Sequence, residues 1–481
     1  MCKLLFQTKL TEKVGLYTEE NMVKDIQLER VTNQARTGSI YLGKVRNVDQ
    51  SIEAAFIEIE KNVVGFLAKK EFPFDGELSS SLTEGSSVIV QVIKEAYQDK
   101  GPRLTANITF PGNSMVYLPY SGYIACSKKL SEHERVRMES IFQPLLTEQE
   151  GLIIRTKSVE ITEMDLREQL DKLRQTYEEI KSMASHKKAP CPLLLLHQIP
   201  DQMLNQYQSM PLTEIIFDQF EEMKKMERNF PQLADRMIYK QTVHSPDNKT
   251  IDQLLEESIQ PAVRTKEGIM LTIEQTEGLT VIDIDSSQYK SRQNKGTTLF
   301  HINRKAIRPI AAEIRKRNLS GIILIDFLKM KNREEQQQIR KWLCKELEKD
   351  VIRTEVYGFT RLGLLEMARK REHVSLLQLL TDRSSTVHDV KNLESYAYQL
   401  ERQLYAWNGT KTEAIIIAGS AEFLRFFREN IRPNIQGIIT FDVYHFTDDQ
   451  TLHYRIVRTG SVEIIEEYIS QHKDLVIDKL L

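Results

Sequence analysis

Cysteine is scarce in this sequence of 481 residues. The four cysteines are Cys2, Cys126, Cys191 and Cys344, and no two of them form a C-x-x-C pair. This wide spacing argues against a disulfide framework, a dithiol site and a cysteine-based zinc site. We therefore expect reduced and mostly buried thiols.

Long apolar runs are also missing. No segment approaches the roughly 20 apolar residues that cross a bilayer, and the opening MCKLLFQTKL lacks the apolar core of a signal peptide. Glycine and proline are too few for a disordered or fibrous chain. The sequence therefore predicts a folded, cytoplasmic protein without a membrane span. It also predicts several domains, because single cores stop growing near about 250 to 300 residues.

The chain has little net charge, since 66 basic residues stand against 68 acidic ones. A local count is more informative, because a phosphate backbone responds to local patches. Between Ser286 and Ile325 the only acid is Glu313, and this segment is able to hold a polyanion. Its nine cations are Lys290, Arg292, Lys295, Arg304, Lys305, Arg308, Arg315, Lys316 and Arg317.

Hydrophobic periodicity divides the chain into segments of different type. Residues 3–35 alternate apolar and polar positions around a turn at 19–21, which predicts a hairpin. Short, evenly spaced strands then predict a small barrel of the OB type. Amphipathic helices around the strand GLIIRT follow, and from GIMLTIEQ onward strands and helices alternate, which indicates an α/β region. Asn332 with Glu335 predicts a helix start there.

The polar stretch TDRSSTVHD, residues 381–389, is predicted to be a linker to a small α+β domain. Within that domain we expect the amphipathic helix ESYAYQLERQLYAW to pack against another subunit. The chain contains no G-x-x-x-x-G-K-[ST], H-E-x-x-H or G-x-S-x-G motif.

Two β-type segments end in carboxylates, VIDID with Asp283 and Asp285 and GIILID with Asp326. Strand side chains alternate, so Asp283 and Asp285 face the same side. If the two strands are neighbours, three carboxylates gather at the sheet edge where α/β folds bind ligands, and such clusters suit Mg²⁺. With the segment of nine cations between the two strands, the arrangement would offer a metal site and a phosphate-binding surface together. The alternative, that each Asp only caps a helix or starts a turn, stays open.

Candidate RNA-contacting groups lie in the earlier segments. Phe56 and Phe66 could stack on bases beside cations from Lys100 and Arg103, as OB-folds do, or they could be core residues. Arg155 with the adjacent Thr156 could clamp a phosphate, although an ordinary surface arginine fits the sequence as well.

In order, EGLTVIDIDS, GIILIDFLKM and TRLGLLEMARKR resemble successive signatures of the bacterial ribonuclease E/G family, with Asp283 and Asp326 43 residues apart as in that family. IYLGKVRNVDQSIEAAFIEI, KGPRLTANITFPGNSMVYLP and GLIIRT extend the likeness upstream, so that it covers about residues 1–372.

The resemblance implies a composite fold of α/β and α+β domains. An RNase H-like subdomain would be split into residues 1–36 and 195–258. Between its halves the resemblance implies an OB-fold RNA-binding domain (37–108) and a 5′-sensor (109–194). A DNase I-like catalytic subdomain (259–379), a linker (380–390) and a small C-terminal domain (391–481) would follow.

The resemblance also implies roles for single residues. Asp283 and Asp326 stand where the family holds its catalytic Mg²⁺, and Phe56, Phe66 and Lys100 stand where it grips RNA. The positions of the 5′-monophosphate sensor are Gly112, Val116, Arg155 and Thr156. The implied activity is cleavage of single-stranded, AU-rich RNA with preference for 5′-monophosphate ends, leaving a 5′-phosphate and a 3′-hydroxyl.

Three departures from the family pattern qualify this implication. Asp285 replaces the usual Asn and would add a negative charge to the metal site. Pro309 falls inside an expected helix, where it should cause a kink. Residues 373–390 contain no C-P-x-C zinc link, so zinc-bridged dimers and tetramers are not expected, while a homodimer formed by other surfaces stays open.

Two other functions stay open from the sequence. The chain could be a non-catalytic RNA-binding protein of ribosome assembly or translation, or a nuclease that cuts DNA.

Overall fold

The fold is mixed α/β with several sheets. The computed structural model describes residues 1–31, 35–74, 76, 78–96, 100–112, 114–266, 268–285, 295–382 and 390–481. These residues form two compact units, of which one comprises Met1–Thr32 with His197–Leu481 and the other Asn33–Leu196.

The first unit opens with three strands, β1 (Cys2–Gln7), β2 (Lys13–Glu19) and β3 (Met22–Glu29), paired antiparallel in sequence order. Glu20 and Asn21 connect β2 to β3 with φ angles of 53° and 57°. A two-residue hairpin turn of type I′ has this left-handed pair. The hairpin predicted around residues 19–21 is therefore confirmed.

The second unit contains a closed barrel of five strands. Their order is β4-β5-β6-β8-β7, and a further pairing of β4 with β7 closes the barrel. Buried branched and aliphatic side chains, such as Ile57 and Leu104, fill its interior. The strands are β4 (Ile40–Asp49), β5 (Ala54–Glu60), β6 (Val63–Ala68), β7 (Ser87–Lys94) and β8 (Arg103–Thr105), with helix α1 (Leu78–Ser81) before β7. The predicted OB-like barrel is confirmed.

A four-stranded sheet follows in the second unit, with the order β11-β12-β10-β9. Its strands are β9 (Phe110–Pro111), β10 (Met115–Leu118), β11 (Ile124–Cys126) and β12 (Gly151–Ile154). Helices α2 (Glu132–Phe142) and α3 (Glu163–His186) pack on it, and β13 (Cys191–Leu194) returns to pair with β4. The helices predicted around GLIIRT are thus present.

The chain then returns to the first unit and completes its N-terminal sheet in the order β15-β14-β1-β2-β3. Strands β1, β14 and β15 run parallel, whereas β2 and β3 are antiparallel additions. The added elements are α4 (Met203–Tyr207), β14 (Leu212–Phe217), α5 (Phe220–Asn229), β15 (Met237–Tyr239) and α6 (Ile251–Ile259).

A second sheet of the first unit has the order β16-β17-β18-β19-β21-β20, and we call it the carboxylate sheet. Its elements are β16 (Ala262–Arg264), β17 (Met270–Gln275), β18 (Leu279–Asp285), α7 (Lys295–Lys316), β19 (Gly321–Asp326), α8 (Arg333–Leu347), β20 (Thr354–Phe359) and β21 (Leu364–Arg369). The predicted α/β region is confirmed, and Asn332 caps α8 by accepting a hydrogen bond from the Glu335 N–H at 2.9 Å.

Helices α7 and α8 cover one face of the carboxylate sheet. Ile302, Ala306 and Ile310 of α7 and Ile339 and Leu343 of α8 share a buried core with the strands. Helix α7 is a single helix that includes Pro309, a residue that has no backbone N–H to donate.

The last hundred residues form a small α+β domain around a sheet of order β26-β24-β25-β27. Helix α9 (Leu376–Leu380), which packs on the N-terminal sheet, and the strand pair β22 (Thr381–Asp382) and β23 (Val390–Lys391) precede this domain. Its elements are α10 (Leu393–Ala406), β24 (Ala414–Gly419), α11 (Ala421–Phe426), α12 (Arg432–Ile435), β25 (Asp442–Thr447), β26 (Tyr454–Gly460), α13 (Val462–Gln471) and β27 (Asp478–Lys479). The predicted linker lies mostly outside the described residues.

Helix α10 corrects one expectation. Its apolar face, with Leu400 and Leu404, is buried in the core of its own domain rather than left for another subunit. On its other side Arg402 forms ion pairs with Glu12 and Asp252 of the same chain. The amphipathic helix is present, but an amphipathic pattern does not specify which surface covers its apolar side.

All four cysteines are unpaired; Cys2 is buried, and the other three are half-buried rather than fully buried. Within the described ranges, no helix combines the length and apolarity that crossing a bilayer requires.

Candidate functional site

Asp283 and Asp326 lie side by side on the carboxylate sheet. Strands β18 and β19 are parallel neighbours, and the register places Asp283 directly opposite Asp326. Adjacent strands are about 4.8 Å apart, so both carboxylates can reach one small ion. The condition on which the sequence argument depended, that the two strands are neighbours, is met.

Strand alternation sets the direction of these side chains. Ile282, Ile284 and Ile325 point into the core under α7 and α8. Asp283, Asp285 and Asp326 therefore point to the opposite face, where all three are exposed. Asp285 lies two residues beyond Asp283 and pairs with Met270 on β17.

The electrostatics of the pair reflect this proximity. Partial burial raises the pKa of the Asp326 carboxyl, and the negative charge of Asp283 raises it further. Two like charges at this spacing repel, and a cation between them would relieve the repulsion. Among the described residues, no three His, Cys, Asp or Glu side chains converge as a closed metal cage.

The segment after Asp326 is fixed by a buried amide. Asn303 of α7 donates from Nδ2 to the Leu328 carbonyl at 2.7 Å and accepts from the Leu328 N–H at 3.0 Å. Its side chain is fully buried. Sequence reasoning missed Asn303, because a polar residue within a helical pattern gives no sign of a partner 25 positions away.

The basic segment does not join the carboxylates in the way that the sequence suggested. Exposed Arg304 and Arg308 lie on the outer side of α7, and α7 packs on the face of the sheet opposite to the carboxylates. Lys316 and Arg317 are paired with Glu313, and Arg315 is buried. Lys290, Arg292 and the side chain of Lys295 lie outside the described residues. The expectation of one shared metal and phosphate surface is therefore wrong for the described cations.

Phe56 and Phe66 are directly paired across β5 and β6 of the barrel. Their rings are 5.9 Å apart, at an angle of 72°, and both are partly exposed. Arg103 pairs with Phe66, and Lys94 pairs with Arg103 across a bulge. The register thus creates a row of two aromatic rings followed by two exposed cations.

Lys100 stands beside this row. A Cβ on the following Gly101 would lie 2.0 Å from the Val64 carbonyl oxygen, so only glycine fits there. The Phe66 N–H donates to the Pro102 carbonyl at 2.8 Å and fixes the same loop. Sequence reasoning named Lys100 and Arg103 but missed Lys94, because a bulge shifts its register.

The residues of the predicted 5′-sensor also come together. Arg155, directly after β12, donates from its backbone N–H to the Ser114 carbonyl at 2.8 Å and from Nη1 to the Gly112 carbonyl at 2.9 Å. Val116 pairs with Ile153, two residues before Arg155, and Thr156 begins a short 3-10 helix.

Lys128 is a further cation at this strand end that the sequence did not single out. The Ser127 N–H donates to the Ile154 carbonyl at 2.9 Å, which places exposed Lys128 near Arg155. The parallel pairing of β11 with β12 brings them together, and long-range parallel pairing leaves no local sign in the sequence.

Comparisons with known proteins point to one family. The model of the ribonuclease E/G family matches residues 109–372. Ribonuclease G of Haemophilus influenzae is 31% identical over 426 residues, which cover 84% of this chain and 87% of that protein. Ribonuclease G of Escherichia coli K12 is 28% identical over 427 residues, with the same coverage. Ribonuclease E of Synechocystis is 31% identical over 366 residues, or 72% of this chain and 54% of that protein.

An OB-like barrel, a sheet with paired carboxylates and these relatives together define an endoribonuclease that acts in RNA processing. The chain belongs to the ribonuclease E/G family.

Proposed function

We propose that this endoribonuclease holds Mg²⁺ between Asp283 and Asp326 and cleaves single-stranded, AU-rich RNA there. The in-register placement of the two carboxylates carries this proposal. The cleavage would leave a 5′-phosphate and a 3′-hydroxyl, and RNA with a 5′-monophosphate would be the preferred substrate.

The residues present fit a magnesium ion. The donors are carboxylate oxygens only, which Mg²⁺ prefers, and two ligands leave room for water and a substrate phosphate. The raised pKa of Asp326 beside Asp283 supports a cation site, since a positive charge would offset their repulsion. When bound, Mg²⁺ would supply an activated water and stabilise the charge that develops on the phosphate.

The protein's own groups would bind and orient the RNA. Asp283 and Asp326, on rigid neighbouring strands, would fix the position of the cleaved phosphodiester. Asp285 would add a third negative charge on the same face and tighten metal binding.

Phe56 and Phe66 would stack on bases while Lys100 neutralises phosphate. Gly112, Val116, Arg155 and Thr156 would recognise the 5′-monophosphate, with the Arg155 guanidinium as its main anion ligand.

The domain scheme inferred from the resemblance forms part of the same proposal. The mixed order β15-β14-β1-β2-β3 supports an RNase H-like subdomain made of residues 1–36 and 195–258. The barrel supports an OB-fold domain at 37–108, followed by the 5′-sensor at 109–194. The carboxylate sheet supports a DNase I-like subdomain at 259–379. We also propose a cytoplasmic location, no zinc bridge between subunits, and a homodimer as the only self-association to test.

Single substitutions of the paired carboxylates test the proposal. We expect Asp283→Asn and Asp326→Asn each to abolish Mg²⁺-dependent cleavage of a 5′-monophosphorylated, AU-rich oligonucleotide while RNA binding is retained. Glu355→Gln is the matched control, because it removes an exposed carboxylate from β20 of the same sheet. Full activity in both aspartate variants would refute the proposed site.

A further inference from the structure

The outer face of helix α7 carries an unusual concentration of positive charge. Arg304 and Arg308 are exposed one helical turn apart, and Lys305 beside Arg304 is exposed as well, while Ile302, Ala306 and Ile307 face the core. No Asp or Glu occurs between Leu299 and Ala312. We call Arg304, Lys305 and Arg308 the α7 basic face.

The two arginines of this face are not neutralised within the described part of the chain. Neither Arg304 nor Arg308 forms an ion pair with a described carboxylate, in contrast to Lys316 and Arg317 on the same helix. Like charges four residues apart disfavour a helix, so the arrangement opposes local stability. A ligand of opposite charge would offset this repulsion.

Aromatic side chains border the α7 basic face. The Arg304 guanidinium lies 4.8 Å from the ring centre of Trp342 on α8, and the Phe300 ring lies 5.7 Å from the Trp342 ring. Both aromatic residues are only partly buried. Exposed Lys345 is one turn from Trp342 on α8. Cations beside partly exposed aromatic rings are the combination that binds single-stranded nucleic acid.

The position of this face excludes a direct role at the carboxylates. Helix α7 packs on one face of the carboxylate sheet, and Asp283 and Asp326 point away from the other. RNA that contacts Arg304 and Arg308 is therefore not the segment that lies at Asp283 and Asp326. Only an RNA long enough to pass the edge of the sheet can reach both.

We propose that the α7 basic face is a second RNA-binding site, which holds a distant segment of a long single-stranded substrate through its phosphates. Arg304 and Arg308 provide the positive charges, and contact with the Trp342 ring holds the Arg304 side chain in place. The Trp342 ring also provides a stacking surface. This site increases affinity for long RNA and adds nothing to the cleavage of short RNA.

Charge reversal of the two arginines tests the site. The full-length Arg304→Glu/Arg308→Glu variant is titrated with single-stranded AU-rich RNAs of two lengths, a short one that fits one site and a long one. EDTA is present, so binding is measured without cleavage. We expect the Kd for long RNA to rise about tenfold and the slope of log K against log salt to shrink by about 1.4, since two phosphate contacts are lost. The Kd for short RNA should stay unchanged.

Matched variants separate this effect from net charge and from misfolding. Arg425→Glu/Arg428→Glu makes the same charge change on exposed helical residues of the C-terminal domain and should leave both Kd values unchanged. Arg304→Gln/Arg308→Gln should fold normally and show a smaller loss for long RNA only.

An unchanged Kd for long RNA, an equal loss for both RNAs, or an equal loss in the control pair would overturn the proposal. If the Kd for long RNA is unchanged, the α7 basic face does not bind RNA, and an acidic protein becomes the alternative partner. Because no metal or cleavage is involved, these results do not depend on the roles proposed for Asp283 and Asp326.

Discussion

Asn303 and Leu328 are joined by two hydrogen bonds, one to each polar group of the Leu328 backbone. Leu328 lies two residues after Asp326, so this amide ties the end of β19 to helix α7. The position of one proposed metal ligand is thus controlled by a side chain that lies on the other side of the sheet.

Asn303→Asp should slow cleavage without weakening RNA binding. The new carboxylate oxygen would face the Leu328 carbonyl and repel it, which displaces the segment behind Asp326. We expect kcat to fall about tenfold with KM unchanged, and stability to fall by about 1–3 kcal/mol.

Asn408→Asp is the control for this prediction. Asn408 forms a comparable pair of bonds, to the Ile438 carbonyl at 2.8 Å and from the Thr440 N–H at 3.1 Å, in the C-terminal domain. It should lose similar stability and keep its kcat. If Asn303→Asp retains its kcat, Asn303 is only a structural residue.

Substitution by leucine distinguishes a role of Phe56 and Phe66 in RNA stacking from a role in core packing. Phe56→Leu/Phe66→Leu keeps apolar volume but removes both rings. Stacking is worth about 1–3 kcal/mol per base, so the Kd for single-stranded RNA should rise at least tenfold while thermal stability changes little. Phe74→Leu alters an exposed ring of the same unit and should bind RNA normally. A double variant with normal affinity would identify the rings as core residues.

Arg155→Gln should abolish the preference for a 5′-monophosphate. The variant loses the cation but keeps the backbone bond to Ser114. In paired cleavage assays, 5′-monophosphorylated RNA should be cleaved as slowly as 5′-hydroxyl RNA. Arg155→Lys keeps charge but not the planar fork, and we expect partial preference. Arg167→Gln, at an exposed position on α3, should behave as the unmodified protein. A retained preference in Arg155→Gln would place the sensor elsewhere.

Glu401 predicts a dependence of stability on pH. Burial raises its pKa from 4.5 to about 7, although it accepts a bond from the Thr11 N–H at 2.7 Å. Between these pH values the folded protein holds a proton that the unfolded chain has released, so stability falls as pH rises from about 4.5 to about 7.

Glu401→Gln should remove most of that slope. Each unit of pKa shift corresponds to about 1.4 kcal/mol, so the variant should gain about 3 kcal/mol at pH 8 and almost nothing at pH 4. Urea unfolding at several pH values measures this gain. Exposed Glu463→Gln should leave the slope intact. An unchanged slope in Glu401→Gln would show that another group causes it.

The sequence predicts those features of the site that depend on local pattern. Asp283 and Asp326 each end an apolar strand, and the alternation within VIDID by itself places Asp283 and Asp285 on one side of β18. The barrel follows in the same way from short, evenly spaced strands.

Features that depend on register or on the side of a layer could not be predicted. Lys94 joins the aromatic row only because β7 has a bulge, and Lys128 approaches Arg155 only because β11 and β12 are parallel. The cations of α7 follow Asp283 in sequence, yet the helix lies on the other face of the sheet. A sequence pattern shows which side of a helix is apolar, but not which face of a sheet that side covers.

The distance between Asp283 and Asp326 is set by backbone pairing of β18 with β19 rather than by the length or packing of any side chain. Point substitutions can therefore change the chemistry at either position but not the spacing between them. Insertion of one residue into β18 ahead of Asp283 would rotate the carboxylate into the core and bring a branched apolar side chain to the open face. The spacing within the site is consequently intolerant of any change in strand length.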